Sequence, residues 1–475
     1  MTLEEYFQTE DAERNLLVEI VRNNASSTTY YLSDSDYITE HDDTPASRFY
    51  SPVIGGTGLS DIRKVLNDPF SGQASTGFGQ ITLADNQVWT DTGGGVFDET
   101  QIELVRGALV TAWLAGPPRD FSRSTALQLL NGKIGRSGGS SANEWTFEVL
   151  DGAQEISDKI VPVDDKPICF GYCRNITPFL TNPSLLEYHV HDGQIEEVLA
   201  VYDQGSLLTL TTDYSVDLST GKITLVASPT GIVTADVRGA KVSGTWLDST
   251  EEISGELISR AGISITQTYD IPSGVIGLYV TESTPLGVLL NQLMAGLAGY
   301  WLIDSNNNFY AAQYPVPQES VAVASYDSTQ ILSEVRIEGE DRVYSTINYS
   351  YRKNWTQYQS LPGASAAQAD FSQRQYLQAL ENSSSPDAEI VYQESPQLNT
   401  FFDSQTDAQS VAQRLLSIYE VQRKIYSVDL PYTIALDLGD NVSIAFGTDV
   451  VVGCIISIID VFDGGFPVNR VQILA

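Results

Sequence analysis

Residues able to carry chemistry are few, and most of them crowd into one stretch. The chain has three histidines, His41, His189 and His191, and three cysteines, Cys169, Cys173 and Cys454. His189 and His191 flank Val190, so an extended backbone would turn both rings to one face, with Asp192 beside them. Imidazole and carboxylate are metal-ligand types, but two ligands on one strand fall short of a zinc site. The simpler expectation is a pair of polar residues leading into a turn at Asp192-Gly193. Cys169 and Cys173 are separated by Phe170-Gly171-Tyr172, and an extended segment puts both thiols on one face. A lone pair of thiols does not close a tetrahedral site without further ligands. Both are expected to be buried, free and packed as small apolar side chains.

Catalytic signatures are missing from the chain. It contains no Gly-x-Ser-x-Gly elbow, no His-Glu-x-x-His and no phosphate-binding loop; Gly132-Lys133 lacks the accompanying glycines and the hydroxyl residue. Triads and histidine-rich metal sites must draw on three imidazoles. Carboxylates are so abundant that a pair suited to glycoside hydrolysis stays possible and says nothing by being possible. No catalytic, cofactor-binding or metal-ligating residue is therefore assigned, and no cofactor is expected.

The elements that would position these residues are mostly strands. Leu16–Val21 and Thr28–Leu32 read as a hairpin with Asn23-Asn24 in the turn. Phe78–Leu83 and Thr146–Leu150 alternate in the same way. Val198–Tyr202 and Leu207–Leu210 flank Gly205, and Tyr214–Leu218 and Lys222–Val226 flank Ser219-Thr220-Gly221. Short strands at regular spacing argue for barrels or sandwiches. Helical spacing occurs three times. The first candidate covers about Ile253–Arg260. The second runs from Pro285 to Ala298, with Thr284 as N-cap and Gly299 after it. The third carries Thr406 and Gln409 as a capping box and Ala408, Val411, Ala412, Leu415, Leu416 and Tyr419 as its apolar stripe. Trp301–Ile303 and Phe309–Ala312, around Asp304–Asn308, complete a small helix-plus-hairpin unit. Ser137–Ser141 reads as an exposed loop, and a long polar loop with some helix is expected near 356–400.

Length and charge bound the rest. A chain of 475 residues suggests roughly three domains. No apolar run approaches the roughly 20 residues that span a bilayer. The acidic start Met1–Glu5 lacks the features of a secretory signal, which points to synthesis in a cytoplasm. Sixty-one acidic against 26 basic residues leave a net charge of −35. Lys and Arg supply most affinity for phosphate backbones, so this chain should repel nucleic acid. Solubility is one use of such charge; a surface that DNA must pass without sticking is another. Asp34–Asp43 and Asp91–Glu99 are the acidic segments that could line such a surface.

An ordered set of motifs between 167 and 239 resembles the baseplate hub, or tail-tip, proteins of long-tailed bacteriophages. It runs from Pro167-Ile168-Cys169-Phe170-Gly171 through Asn175–Leu180 to Glu187-Tyr188-His189-Val190-His191-Asp192-Gly193. Val201–Gly205, Asp213-Tyr214 and Thr234-Ala235-Asp236-Val237-Arg238-Gly239 follow. Pro167 and Phe170 are one residue closer than in the family pattern. Gly79–Asn86, the helix-hairpin at Thr284–Gln313, and Asp437–Ser443 with Val452–Ile458 are similar to further parts of such hubs. The stretch after Trp355 has no counterpart.

The resemblance implies a mainly β chain with minor α: two tail-tube-like β-barrel domains and a small α/β subdomain. The corresponding divisions are a first barrel at 1–163, a β-rich hub segment at 164–243, the α/β subdomain at 244–315 and a second barrel at 316–475. It further implies a homotrimeric, non-enzymatic ring at the virion tail tip. Its neighbours would be the tail tube or a distal tail protein, the tape-measure protein, and a tip fibre or spike. DNA would pass through without specific binding, and the chain would not insert in a membrane. A distal tail ring, a receptor-binding adhesin and an all-β glycan-degrading enzyme are the alternatives. Longer family members continue into fibre or peptidoglycan-degrading domains, which are not expected after Ala475.

Overall fold

The computed structural model describes residues 2–7, 12–22, 29–84, 105–141, 144–358, 364–387, 389–462 and 467–475. Strands dominate, as the alternating pattern predicts. Near the N-terminus a nine-stranded sheet runs from Tyr37–Ile38 at one end to Ile54–Leu59 at the other. At its centre Asn15–Val21 pairs antiparallel with Thr29–Ser33 on one side and Leu109–Ala115 on the other. The hairpin expected there is present; Asn23-Asn24 lies outside the described residues. Ser137–Ser141 is not a loop. It is the end of the long strand Leu127–Ser141, paired with Glu144–Leu150 through Ser137↔Phe147 and Gly139↔Trp145. Small residues still supply N–H and C=O groups to a ladder, and the partner strand contributes the β-forming side chains.

The C-terminal strands form a second large sheet. Its path runs from Ala324–Tyr326 through Asn441–Phe446, Asp449–Val461, Val468–Leu474 and Lys424–Pro431 to Arg336–Glu340. Ile62–Leu66 crosses over from the N-terminal region and pairs with Asp449–Val461, from Ile62↔Asp460 to Val65↔Ser457. Ala74–Gly77 follows on its outer side. The exchange extends to the cores. Leu66 and Ala74 are buried with the C-terminal strands, whereas Tyr432 is buried in the N-terminal core.

Between these sheets the chain builds two smaller units. In the first, a sheet path of Ser206–Leu207, Ile195–Asp203, Val233–Val242, Ile168–Ile176 and Gly277–Val280 packs against a four-stranded sheet. That second sheet holds the expected Tyr214–Asp217 and Lys222–Leu225 hairpin. The second unit is the helix-plus-hairpin. Thr250–Arg260 begins at a capping box made by Ser249 and Glu252. Leu286–Ala295 packs on the hairpin Gly299–Ile303 and Phe309–Gln313.

Two helix starts and a second loop also differ from expectation. Thr284 and Pro285 form a strand bridge to Ile160–Val161, so Thr284 is no cap; its hydroxyl donates to the Glu282 carbonyl. The helix also ends at Ala295, before Gly299. The helix Gln405–Tyr419 is capped by Ser404, two residues before the expected Thr406, with the Ser404 hydroxyl accepting from the Asp407 amide. Its apolar stripe from Ala408 to Tyr419 is buried as expected, each leucine contributing about 2 kcal/mol. Region 356–400 is less of a loop than the polar composition suggests. It holds helix Ala366–Gln373 and strand Leu377–Asn382, which pairs along the whole of Thr346–Tyr351. The strand exposes alternate residues, but Leu380 is on the exposed face and Glu381 on the half-buried one, which breaks the apolar-polar alternation.

Candidate interaction surface

The motif residues of 167–239 converge on one buried junction. Strand Ile168–Ile176 lies between Val233–Val242 and Gly277–Val280. Gly171 sits at φ +59°, and a Cβ there would lie 1.8 Å from the Ile276 carbonyl oxygen. Gly239 permits equally close backbone packing, because its Cβ would lie 2.2 Å from the Cys169 oxygen. Only glycine fits at either place. The Asp236 carboxylate accepts from the Asn175 amide at 2.7 Å and from the Tyr202 hydroxyl at 3.4 Å. Asp236, Tyr202 and Asn175 thus tie three neighbouring parts of the motif set together.

His191 is 2% exposed, and its Nδ1 accepts the Cys169 backbone N–H at 3.1 Å. The ring proton therefore resides on Nε2, which faces an Asp192 oxygen at 3.3 Å. Asp192 in turn receives two hydrogen bonds from Arg260, at 2.6 and 3.1 Å, and Arg260 also donates to Glu256 at 2.8 Å. Burial lowers the imidazole to about 4, outweighing the nearby Asp192 charge. Both ring nitrogens are committed to structure, and this network fastens the Asp192-Gly193 turn to helix Thr250–Arg260. His189 does not join it: its Nδ1 pairs with the Thr181 hydroxyl at 2.7 Å. His41 is exposed beside Asp42. Among the described residues no group of three or more His, Cys, Asp or Glu is arranged to hold a metal.

All three cysteines are free and fully buried. Cys169 and Cys173 share one apolar cluster, and the Cys173 thiol donates to the Phe170 carbonyl at 3.3 Å. Burial pushes the Cys454 thiol up to about 12 and Cys173 well above its ordinary value. An aromatic disulfide reagent at pH 8 is expected to label none of the three in the folded protein and all three in denaturant, with a rate difference of at least roughly a hundredfold. Stoichiometric labelling of native protein would contradict this arrangement.

A second polar junction joins the motif region to the 346–403 segment. Arg174 chelates Asp403, Nε to Oδ1 at 2.5 Å and Nη2 to Oδ2 at 2.9 Å, and Arg352 stands 3.5 Å from the same Oδ1. Beside it Asn175 donates to Asn354 at 2.8 Å, and Thr177 meets Thr356 at 2.9 Å. None of Arg174, Arg352 and Asp403 stood out in the sequence. No local pattern links positions 229 residues apart.

The surfaces left for partners are sheet ends and apolar patches. Ile38 and Phe49 face each other across a strand pair at the end of the nine-stranded sheet, 56% and 45% exposed. Arg336–Glu340 ends the C-terminal sheet with every side chain at least partly exposed, Ile337 among them. Of the acidic segment 34–43, Asp43 turns inward, accepting from the Ser122 hydroxyl and from the Arg123 and Glu40 amides. Asp36, Glu40 and Asp42 stay exposed. Segment 91–99 lies outside the described residues. No helix among the described residues is long and apolar enough to cross a membrane.

No family model matches the sequence, and no curated protein does. Among solved structures the chain is similar to a tail protein from Neisseria meningitidis, at 7% identity and TM-score 0.46, covering 97% of this chain and 96% of that one. It is also similar to the 43 kDa tail protein of prophage MuSo2 from Shewanella oneidensis, at 11% identity, TM-score 0.42 and coverage of 97% and 96%. Prophage tail protein gp18 from Listeria monocytogenes follows at 8% identity, TM-score 0.44 and coverage of 96% and 94%.

Proposed function

We propose that this chain is a structural, non-enzymatic subunit of a bacteriophage tail tip: a baseplate hub that forms a cyclic trimer and lets DNA pass. The observation that carries this reading is the strand exchange between the two ends of the chain. Ile62–Leu66 pairs inside the C-terminal sheet, and the two large sheets thereby become one body with two β-rich halves. In the hub reading each half is a tail-tube-like barrel. Three copies then present six such units to a hexameric tube, through a closed heterologous contact. The motif residues fit the same role, because they lock the fold instead of exposing a reactive group. The charge of −35 suits a wall that DNA slides past. Partners of the ring would be the tail tube or a distal tail protein, the tape-measure protein and a tip fibre or spike, all within the virion.

The ring contacts are assigned to the two sheet ends. A strand edge offers unpaired N–H and C=O groups, and Ile38, Phe49 and Ile337 add apolar surface. A stable ring contact of this kind buries about 2,000 Å² or more. Light scattering of the purified protein should report a trimer, and electron microscopy a ring with a channel. Ile38→Lys combined with Ile337→Lys should shift the population to monomer without unfolding it. Monomer alone at high concentration, together with isolated copies in intact particles, would rule the hub out.

A further inference from the structure

Two adjoining cavities stand apart from the rest of this acidic surface. One, of about 300 Å³, is lined by Lys353, Tyr376, Phe401, Gln292, Gln397 and Asn399, with Phe70, Ala295 and Leu398. The other, of about 290 Å³, shares Tyr376 and Asn399 and adds Arg374, Gln375 and Gln378. No lining residue of either cavity is a carboxylate, in a chain with 61 of them. Lys353 holds its ammonium 3.7 Å from the centre of the Trp355 ring and 5.1 Å from that of Phe401. Such contacts leave the ammonium protons free for an acceptor. Arg374 pairs with Asp370, Nη2 to Oδ1 at 2.8 Å.

Cations, amides and aromatic faces together match one ligand chemistry better than others. Amide side chains both donate and accept, which suits a ring of hydroxyls. The partly exposed ring of Tyr376 suits the apolar side of a sugar ring. An acidic peptide would need the cations but not four glutamines. Each cavity has the volume of a small-ligand site.

We propose that this double cavity binds an acidic saccharide, with Lys353 receiving the carboxylate, the amides the hydroxyls, and Tyr376 the ring face. Arg374 adds positive potential at the second cavity. Binding of this kind goes beyond a structural role and does not depend on the chain forming a ring.

D-glucuronate, D-glucose and N-acetylglutamate serve as probes, by saturation-transfer NMR on the full chain at neutral pH. Glucuronate is expected to bind in the millimolar range, with glucose weaker by about tenfold or more, since one charge-assisted contact is worth that factor. Lys353→Met should weaken glucuronate by about tenfold or more, and Arg374→Gln, an exposed change that leaves the packing alone, by roughly threefold. Burial lowers the Lys353 ammonium to about 8, so affinity in the wild-type chain should fall as pH rises past that value. The proposal is overturned by no transfer at about 50 mM glucuronate, a concentration that would reveal even weak sugar binding. It is equally overturned if both variants bind as the wild type does. N-acetylglutamate binding as tightly as glucuronate would reassign the cavity to acidic peptides and also overturn it.

Discussion

Asp403→Ala is expected to destabilise the protein by about 3 kcal/mol, because it strands two guanidinium groups in a partly buried junction. Arg174 and Asp403 keep side-chain exposures of only 23% and 17%, and their contact is a two-point chelate. Arg352 stands 3.5 Å from the same Oδ1 that Arg174 contacts, so both guanidinium groups lose this carboxylate at once. The pair itself need not be worth that much. Desolvation of both ions offsets most of their attraction, so replacing them together by apolar residues should recover much of the loss. The cycle of Arg174→Met, Asp403→Leu and their combination separates these effects. Denaturation followed by two probes gives the global figure. Hydrogen exchange along 168–176 and 346–351 shows whether the segments open at their junction. A loss under about 0.5 kcal/mol for Asp403→Ala, with unchanged exchange, would mean that solvent already screens the contact. The junction also fixes the motif region against the segment leading to helix Gln405–Tyr419.

What could be read from the sequence was whatever depends on near neighbours. The hairpin at 214–225 shows itself by period-two alternation and turn residues, and the structure holds it in register; of the expected strand Leu207–Leu210 only Leu207 lies within a strand, paired with Tyr202. The helical stripes at 250–260 and 405–419 are legible for the same reason. Caps are less so, because a cap depends on the backbone angle of one residue. Ser404 and Thr406 both precede an apolar stripe, and only the extended φ and ψ of Ser404 decide between them. Thr284 failed as a cap because a strand partner claimed its backbone. Leu377–Asn382 is hidden because, in this outer strand, the apolar Leu380 is exposed and the acidic Glu381 half-buried, which spoils the alternation. Long-range pairing was out of reach altogether: nothing near Ile62 announces a partner at Asp460, nor near Lys64 an ion pair with Asp437. The histidine-cysteine stretch was legible as a cluster of types but not as a network. That Cys169 contributes its backbone N–H, and not its thiol, follows only from how the strand passes His191.

His191→Ala should cost about 3 kcal/mol, and it should also flatten the acid limb of the stability profile. The first effect combines a cavity at a fully packed site with a Cys169 N–H left without an acceptor. The second follows from linkage. Burial holds the folded imidazole at about 4, against about 6.5 in the unfolded chain. Between these values the unfolded state binds the extra proton, so stability rises with pH. The contribution is fully present above about 6.5, declines as pH falls, and is gone below about 4. At most it is worth about 3 kcal/mol, one pKa unit being about 1.4 kcal/mol. His191→Gln tests the two effects apart. Its amide oxygen can accept the Cys169 N–H and its NH2 group can face Asp192, so it should fold better than the alanine variant while losing the same pH dependence. His189 titrates in the same direction, its imidazole also lowered by burial, so the difference between wild type and His191→Gln is the quantity to measure. Denaturation midpoints from pH 4 to 7.5 should show the wild type gaining more stability than His191→Gln across this range. Parallel profiles would mean that His191 is already protonated near its ordinary value, and that Asp192 rather than burial governs the ring.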